Sequence, residues 1–243
     1  MRSYDTALVT GASRGLGAAL AREMAARGYR LMLVARTQGE LSRLADELRQ
    51  AHGATVHIRA TDLCDAAALQ ACAEEAQQAL GAVDVLVNNA GTGHYKPLAE
   101  WTPAEVSACT ALNLTAPMLL AHALVPGMVA RGRGMVVNVA SDLARRYLAN
   151  MAPYVAVKFG LLGFSGSLLR EVKQHGVKVM AVLPGIIDTA FGGDAATFQP
   201  GQRDPRGALD SVLLARQIAD LLELPNSMVM DEVVIHPLHQ QDY

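Results

Sequence analysis

The sequence is poor in several features that would have fixed its class early. It has only three cysteines, Cys64, Cys72 and Cys109, and their spacing fits neither a metal knuckle nor a redox pair. An odd count points away from a disulfide framework and toward reduced thiols in a cytoplasmic protein. Charge of one sign is also missing. Lys and Arg number 21 against 23 Asp and Glu, for a formal net charge of −2, which leaves no basic footprint for nucleic acid. The longest apolar run, Leu114 to Ala130, is interrupted by Pro117, His122 and Pro126. It reads as a buried helix and not as a membrane span. Met1 to Asp5 lead straight into a strand pattern, so no signal peptide is expected. No internal repeat, low-complexity tract or second domain is visible. One domain over residues 1–243 is the expectation, 51% hydrophobic and 18% charged, large enough to bury a sizeable core.

What is there is an alternation of short apolar runs and helical patterns. Thr6 to Thr10 reads as a buried parallel strand. Gly11-Ala12-Ser13-Arg14-Gly15-Leu16-Gly17 follows, then a helical pattern from Ala18 to Arg27. Strand, glycine loop and helix in this order make a phosphate cradle, because glycines admit close backbone approach and the helix start offers unpaired N–H groups. By itself the loop reads equally as a tight turn before a helix. Strands are predicted over Arg30–Ala35, Ala54–Arg59, Asp84–Val87, Gly134–Val139, Val177–Leu183 and Glu232–His236. Helices are predicted over Gln38–His52, Ala66–Leu80, Pro103–Arg131 with a kink at Pro117, Ala152–Leu169 and Ala208–Leu222. The pattern predicts an α/β fold, a doubly wound parallel sheet of about seven strands with helices on both faces.

Arg36 stands just past the second strand. An acid there would grip a ribose 2′-hydroxyl, whereas an arginine accommodates a 2′-phosphate. Arg14, inside the glycine loop, approaches the same region. Two guanidiniums without an acid favour NADP over NAD; each alone reads equally as a solvated surface arginine. Asn113 falls on a mostly apolar pattern and reads either as a core polar contact or as part of a site. The stretch Gly192–Gly207 shows no period and reads as a flap, around residues 190–207, over the crevice.

Tyr154 and Lys158 are four residues apart on one predicted helix and so share a face. A phenol has a pKa near ~10, and a fixed neighbouring cation favours the phenolate. Bringing it to about 7 takes roughly three units, or about 4 kcal/mol.

Taken in order, Thr10-Gly11…Gly15-Leu16-Gly17, Asn88-Asn89-Ala90-Gly91, Asn113, Ser141, Tyr154…Lys158 and Pro184-Gly185…Thr189 resemble the short-chain dehydrogenase/reductase family over essentially the whole chain. The resemblance implies a Rossmann fold and an NADP-dependent oxidoreductase that interconverts a carbonyl and an alcohol. It implies that Tyr154 is the general acid/base, Ser141 holds the carbonyl oxygen, Lys158 lowers the phenol pKa and holds the nicotinamide ribose, and Asn113 positions a water. It implies that Gly11, Ser13, Arg14, Gly15, Leu16 and Gly17 cradle the pyrophosphate, that Asp62 and Leu63 flank adenine, and that Asn88, Ala90 and Gly91 line the groove. Pro184, Gly185, Ile187 and Thr189 would hold the carboxamide end. No metal is implied, and His236-x-x-His239 is too little for one. The implied partners are a small carbonyl or alcohol and further copies of the chain, as a homodimer or homotetramer through the Pro103 and Tyr154 helices.

One departure stands out. Asp142-Leu143-Ala144-Arg145-Arg146 is unusually charged for the loop after the serine, where relatives often carry small residues. Arg145 and Arg146 read as surface charges or as a clamp for a carboxylate substrate. His94 and Tyr95 read as a solvated turn or as pocket lining. Two competing functions are a nucleotide sensor without turnover and an epimerase or dehydratase of the longer relatives.

Overall fold

β1 (Thr6–Thr10) is buried at every position, as an apolar run between two neighbouring strands must be. In the computed structural model, which describes residues 4–191, 201 and 207–240, β1 pairs in parallel with β2 (Arg30–Ala35) on one side and β4 (Val85–Asn88) on the other. β3 (Val56–Ala60) lies outside β2. β5 (Gly134–Val139), β6 (Val177–Pro184) and β7 (Glu232–Ile235) extend the other half. The seven-stranded order is β3-β2-β1-β4-β5-β6-β7. The order reverses between β1 and β4, and the crevice outside the strand ends at such a switch point is where these sheets bind ligands.

Side chains alternate across the sheet. Ala7 and Val9 face a core built with α1 (Gly15–Ala26), α2 (Gln38–His52) and α7 (Ser211–Leu222). Leu8 faces a second core, with α3 (Ala66–Leu80), α5 (Ala116–Arg131) and the end of α6 (Ala152–Val172). Two helical stretches, Pro103–Arg131 and Ala152–His175, are long and apolar enough to cross a membrane. Both contribute buried residues to the sheet's second layer, as the interrupted pattern of Leu114–Ala130 predicts.

Most elements fall within a few residues of the prediction, and α2 and α3 coincide with it. Gly53 ends α2 with φ 60°, a conformation that glycine takes without a steric penalty. The Asp65 carboxylate starts α3 by accepting from the N–H groups of Ala67 and Ala68. α1 opens at Gly15, three residues before the predicted start, so that two glycines of the loop belong to its first turn. α7 opens at Ser211 and not Ala208, because Asp210 caps it. In the region 103–131, α4 (Pro103–Thr110) and α5 are joined by one wide π turn, Ala111–Thr115, just before Pro117. Pro117 has no N–H to offer the carbonyl four residues back, and a wide turn relieves that mismatch. Of the predicted flap, residues 192–200 and 202–206 lie outside the described residues.

Candidate active site

The glycine loop is folded by contact with the end of β4. The Thr10 hydroxyl donates to the Val87 carbonyl and accepts from the N–H groups of Asn89 and Ala90, at 3.0 and 3.1 Å. The Asn89 amide returns two bonds, to the Thr10 and Gly11 carbonyls. This stitching leaves no room in the loop. A Cβ at Gly17 would lie 2.2 Å from the Gly11 oxygen, and Gly11 itself has φ +64°. The loop is thus drawn tightly over the first turn of α1, with that helix start facing the crevice. Ser13 and Gly15 are half-buried, Leu16 and Gly17 buried. A Cβ on Gly15 would reach the Thr189 methyl at 3.2 Å, so Thr189, beyond β6, stands over the cradle. Ile187 is held by a bridge to Leu209.

At the end of β2, Arg36 is exposed, as is Arg14 in the loop. Neither guanidinium is paired with a carboxylate among the described residues. Asp62 and Leu63 follow β3; the Asp62 carboxylate caps its own turn through the Cys64 N–H, and Leu63 is buried. Arg36 is near enough to Cys64 to act on that thiol electrostatically. The loops after β2 and β3 therefore adjoin, with Arg36 exposed there and Arg14 exposed in the glycine loop.

Below the cradle, Asn88 donates to Asn138 at 2.8 Å, and Asn138 donates to Ser165 at 2.8 Å. This buried polar ladder ties the ends of β4 and β5 to α6. Asn113 occupies the wide turn between α4 and α5. Its amide nitrogen donates to the carbonyls of Thr92 and Cys109. Its oxygen is buried and without a protein partner, as is that of Asn88. A Cβ on Gly91 would come within 2.8 Å of the Asn113 oxygen and 3.8 Å of the Lys158 nitrogen. The Asn113 oxygen and the Lys158 ammonium therefore meet at one bare stretch of backbone.

Tyr154 and Lys158 do share the buried face of α6, 6% and 3% exposed. The Lys158 ammonium lies 5.4 Å from the centre of the Tyr154 ring and donates to the Val139 carbonyl at 3.0 Å. Gly93 gives the ring its space, since a Cβ there would lie 2.8 Å from Tyr154 Cδ2. Ser141 stands close enough to the phenol to lower its pKa. It lies past the end of β5, and its oxygen accepts from the Leu143 N–H at 3.2 Å.

The electrostatics differ from the sequence expectation. Burial pushes the Tyr154 phenol above its ordinary value; the nearby Ser141 hydroxyl opposes this, and the Asp142 carboxylate and Cys109 add to it. The same burial pulls Lys158 down to about 8. Helical spacing gives the proximity correctly but contains no measure of desolvation.

Several residues that carry the site's geometry were not singled out as site residues from the sequence. Thr10 and Asn89 fall inside recognised motifs. Asn138 gave no signal beyond being polar in an apolar strand. Asp142 is buried, and its partners come partly from far along the chain. Arg146 donates to it at 2.5 Å, Gln240 donates at 2.6 Å, and His236 lies 3.7 Å away. Arg145 is bound to Glu232. Both arginines of this loop are thus committed to carboxylates of the chain itself. His94 stacks edge-on with Trp101 at 5.4 Å, and Tyr95 is 66% exposed.

The comparison with known families is then decisive: the short chain dehydrogenase family matches residues 5–199. The chain belongs to the short-chain dehydrogenase family. Ketoacyl reductase HetN of Nostoc sp. is 35% identical over 182 residues, 75% of this chain and 63% of that protein. The 3-oxoacyl-[acyl-carrier-protein] reductase FabG of Escherichia coli is 35% identical over 183 residues, 75% of this chain and 73% of that one. The chain thus spans just under two thirds of the first relative and somewhat more of the second. Among solved structures, an alcohol dehydrogenase from the archaeon Thermococcus sibiricus, complexed with 5-hydroxy-NADP, superposes with a TM-score of 0.91. It is 30% identical and covers 98% of this chain and 99% of its own. A metagenomic short-chain oxidoreductase in complex with NADP gives a TM-score of 0.83 at 36% identity, over 96% of both chains.

Proposed function

We propose that this short-chain dehydrogenase reduces a small carbonyl compound, and oxidises the matching alcohol, with Tyr154 exchanging the proton at the substrate oxygen. The chain is an NADP-dependent oxidoreductase that interconverts carbonyl and alcohol groups. NADP(H), when bound, supplies or accepts the hydride at the substrate carbon. The residues present fit that cofactor: a glycine cradle at a helix start, two guanidiniums with no carboxylate partner among the described residues, and the buried amide oxygens of Asn88 and Asn113 without a hydrogen-bond partner.

Each role follows from chemistry. Gly11, Ser13, Gly15, Leu16 and Gly17 bring backbone to the pyrophosphate, while Arg14 and Arg36 take the 2′-phosphate. Asp62 and Leu63 flank adenine. Asn88, Ala90 and Gly91 line the groove, and Pro184, Gly185, Ile187 and Thr189 the carboxamide end. Lys158 holds the ribose hydroxyls. Its positive charge offsets the phenolate left after Tyr154 gives up its proton. Asn113 holds, at its free oxygen, the water through which that proton is replaced. Ser141 fixes the carbonyl oxygen within reach of the phenol.

The observation that carries the reading is the burial of Tyr154 and Lys158 together on one face of α6, with Ser141 beside the phenol. Assembly into dimers or tetramers through the Pro103–Arg131 and Tyr154 helices, in the cytoplasm, belongs to the same proposal. The test mixes pure protein with NADPH and a panel of ketones and aldehydes, then repeats it with Tyr154→Phe. Loss of turnover with NADPH binding retained is expected; unchanged turnover in the variant rejects Tyr154 as the acid.

A further inference from the structure

The surroundings of Tyr154 are apolar on both sides of its ring. Leu143 from the serine turn and Met151 just before α6 share one buried cluster with it. Gly93 closes against one edge, where a Cβ would lie 2.8 Å from Cδ2. Phe191, beyond β6, meets the ring with 5.5 Å between centres and a tilt of 56°. Phe191 is itself 45% exposed. A single exposed phenylalanine is ordinary on a protein surface, but this one touches the ring of the proposed proton donor. The rest of its surface is apolar area that a bound molecule can cover, and aromatic rings favour other rings in offset or tilted contact.

Charge at the same place works against an anion. Asp142 is 6% exposed, and one of its oxygens lies 3.1 Å from the Ser141 hydroxyl. The two arginines of the serine turn, which could clamp a carboxylate, are engaged within the chain: Arg146 with Asp142 at 2.5 Å, and Arg145 with Glu232. In the turn that follows Gly93, Lys96 is paired with Glu105 at 2.7 Å. Among the described residues, neither turn holds an uncommitted lysine or arginine. A substrate carboxylate brought to Ser141 would lose its hydration, meet a like charge in Asp142 and gain no counter-ion from these turns.

We propose that the substrate is a neutral ketone or aldehyde bearing an aromatic group, and that Phe191 is the specificity-determining residue against which that group packs. The inference rests on the proposed function for where the carbonyl sits, between Ser141 and Tyr154. Held there, a carbonyl compound has one substituent beside Phe191, and the internal pairing of Arg145 and Arg146 selects against a keto acid.

Three ketones test this: methyl benzoylformate, benzoylformate and methyl pyruvate. The first two differ in the charge of one end, the first and third in the ring. Each is titrated calorimetrically into the protein–NADP+ complex, which cannot reduce it, so that differences in reactivity do not enter. Methyl benzoylformate is expected to bind about tenfold or more tighter than either of the others. Phe191→Ala is expected to bring the two esters within about threefold of each other. Phe191→Leu, apolar without a ring, should keep part of the preference and covers a folding defect in the alanine variant. Benzoylformate binding as tightly as its ester, equal affinity of the two esters, or a ring preference that survives both substitutions would each overturn the proposal, as would binding of none. Turnover with NADPH is measured separately. The expected order of affinity without turnover would remove the proposed function and leave the inference; turnover with the opposite order would do the reverse.

Discussion

The Lys158 ammonium faces the Tyr154 ring at 5.4 Å from its centre and is anchored on the Val139 carbonyl at 3.0 Å. The lysine is therefore held by strand backbone, and the tyrosine ring is held separately by packing against Gly93 and Phe191. Two independent anchors fix a distance that helical spacing alone would leave loose.

Replacing Tyr154 by phenylalanine removes the proton donor and leaves the ring contacts with Gly93 and Phe191. General acid–base groups contribute about 10²–10⁴-fold. Turnover is expected to fall by at least about 100-fold, with the affinity for NADPH, read by protein fluorescence quenching, within a few-fold of the wild type.

Lys158 illustrates a cost of the site to the fold. Burial holds its pKa at about 8 in the folded protein, below the ordinary 10.5 of a lysine. Between those values the unfolded chain holds a proton that the folded chain has released, so this group's contribution to stability rises with pH across the window. Below pH 8 the full desolvation penalty remains. Lys158→Met removes it, an effect of at most about 3 kcal/mol, and leaves the Val139 carbonyl unpaired, costing about 1 kcal/mol. Without NADP, the variant is expected to be about 1–2 kcal/mol more stable at pH 7 by urea unfolding. The advantage should shrink toward pH 10.5. A variant less stable than the wild type at pH 7 contradicts this.

Thr10 serves two N–H groups at once. Thr10→Val keeps the shape and strands both donors, at about 1–3 kcal/mol for an unsatisfied buried group. The melting temperature and NADPH affinity should both drop, whereas Thr10→Ser should restore most of each. Equal behaviour of the valine and serine variants would show that the hydroxyl is not what holds the loop.

Arg36 is exposed and has no carboxylate partner among the described residues, and the proposed function gives it the 2′-phosphate. Arg36→Ala is expected to weaken NADPH binding about tenfold or more, the worth of a charge-assisted hydrogen bond, and to leave NADH binding nearly unchanged. Calorimetric titration with both nucleotides measures the ratio; a parallel loss for both would rule out a 2′-phosphate contact.

How much of this was legible in the sequence follows from the range of each interaction. α2 and α3 were readable because their periodicity and their flanking Gly53 and Gly81 are local features. The glycine loop and the Tyr154–Lys158 pair were readable for the same reason. The wide turn at Asn113 was not, because Pro117 signalled a disturbance without its form. The phenol's raised pKa was also out of reach, since burial belongs to the packed molecule. So was the environment of Asp142: Gln240 is 98 residues away along the chain. Arg145 and Arg146 were visible as charges, but their partners, Glu232 and Asp142, became visible only in three dimensions.

The Gln240 side chain uses its two ends on two different loops, its oxygen on the Ile186 N–H and its nitrogen on Asp142. A primary amide alone among the longer side chains offers an acceptor and a donor at such a separation. Glutamate would set two carboxylates against each other, and lysine would abandon Ile186. Spontaneous hydrolysis of that one amide during storage would therefore unfasten the serine turn and the exit of β6 together, and preparations would lose activity with age before losing their fold.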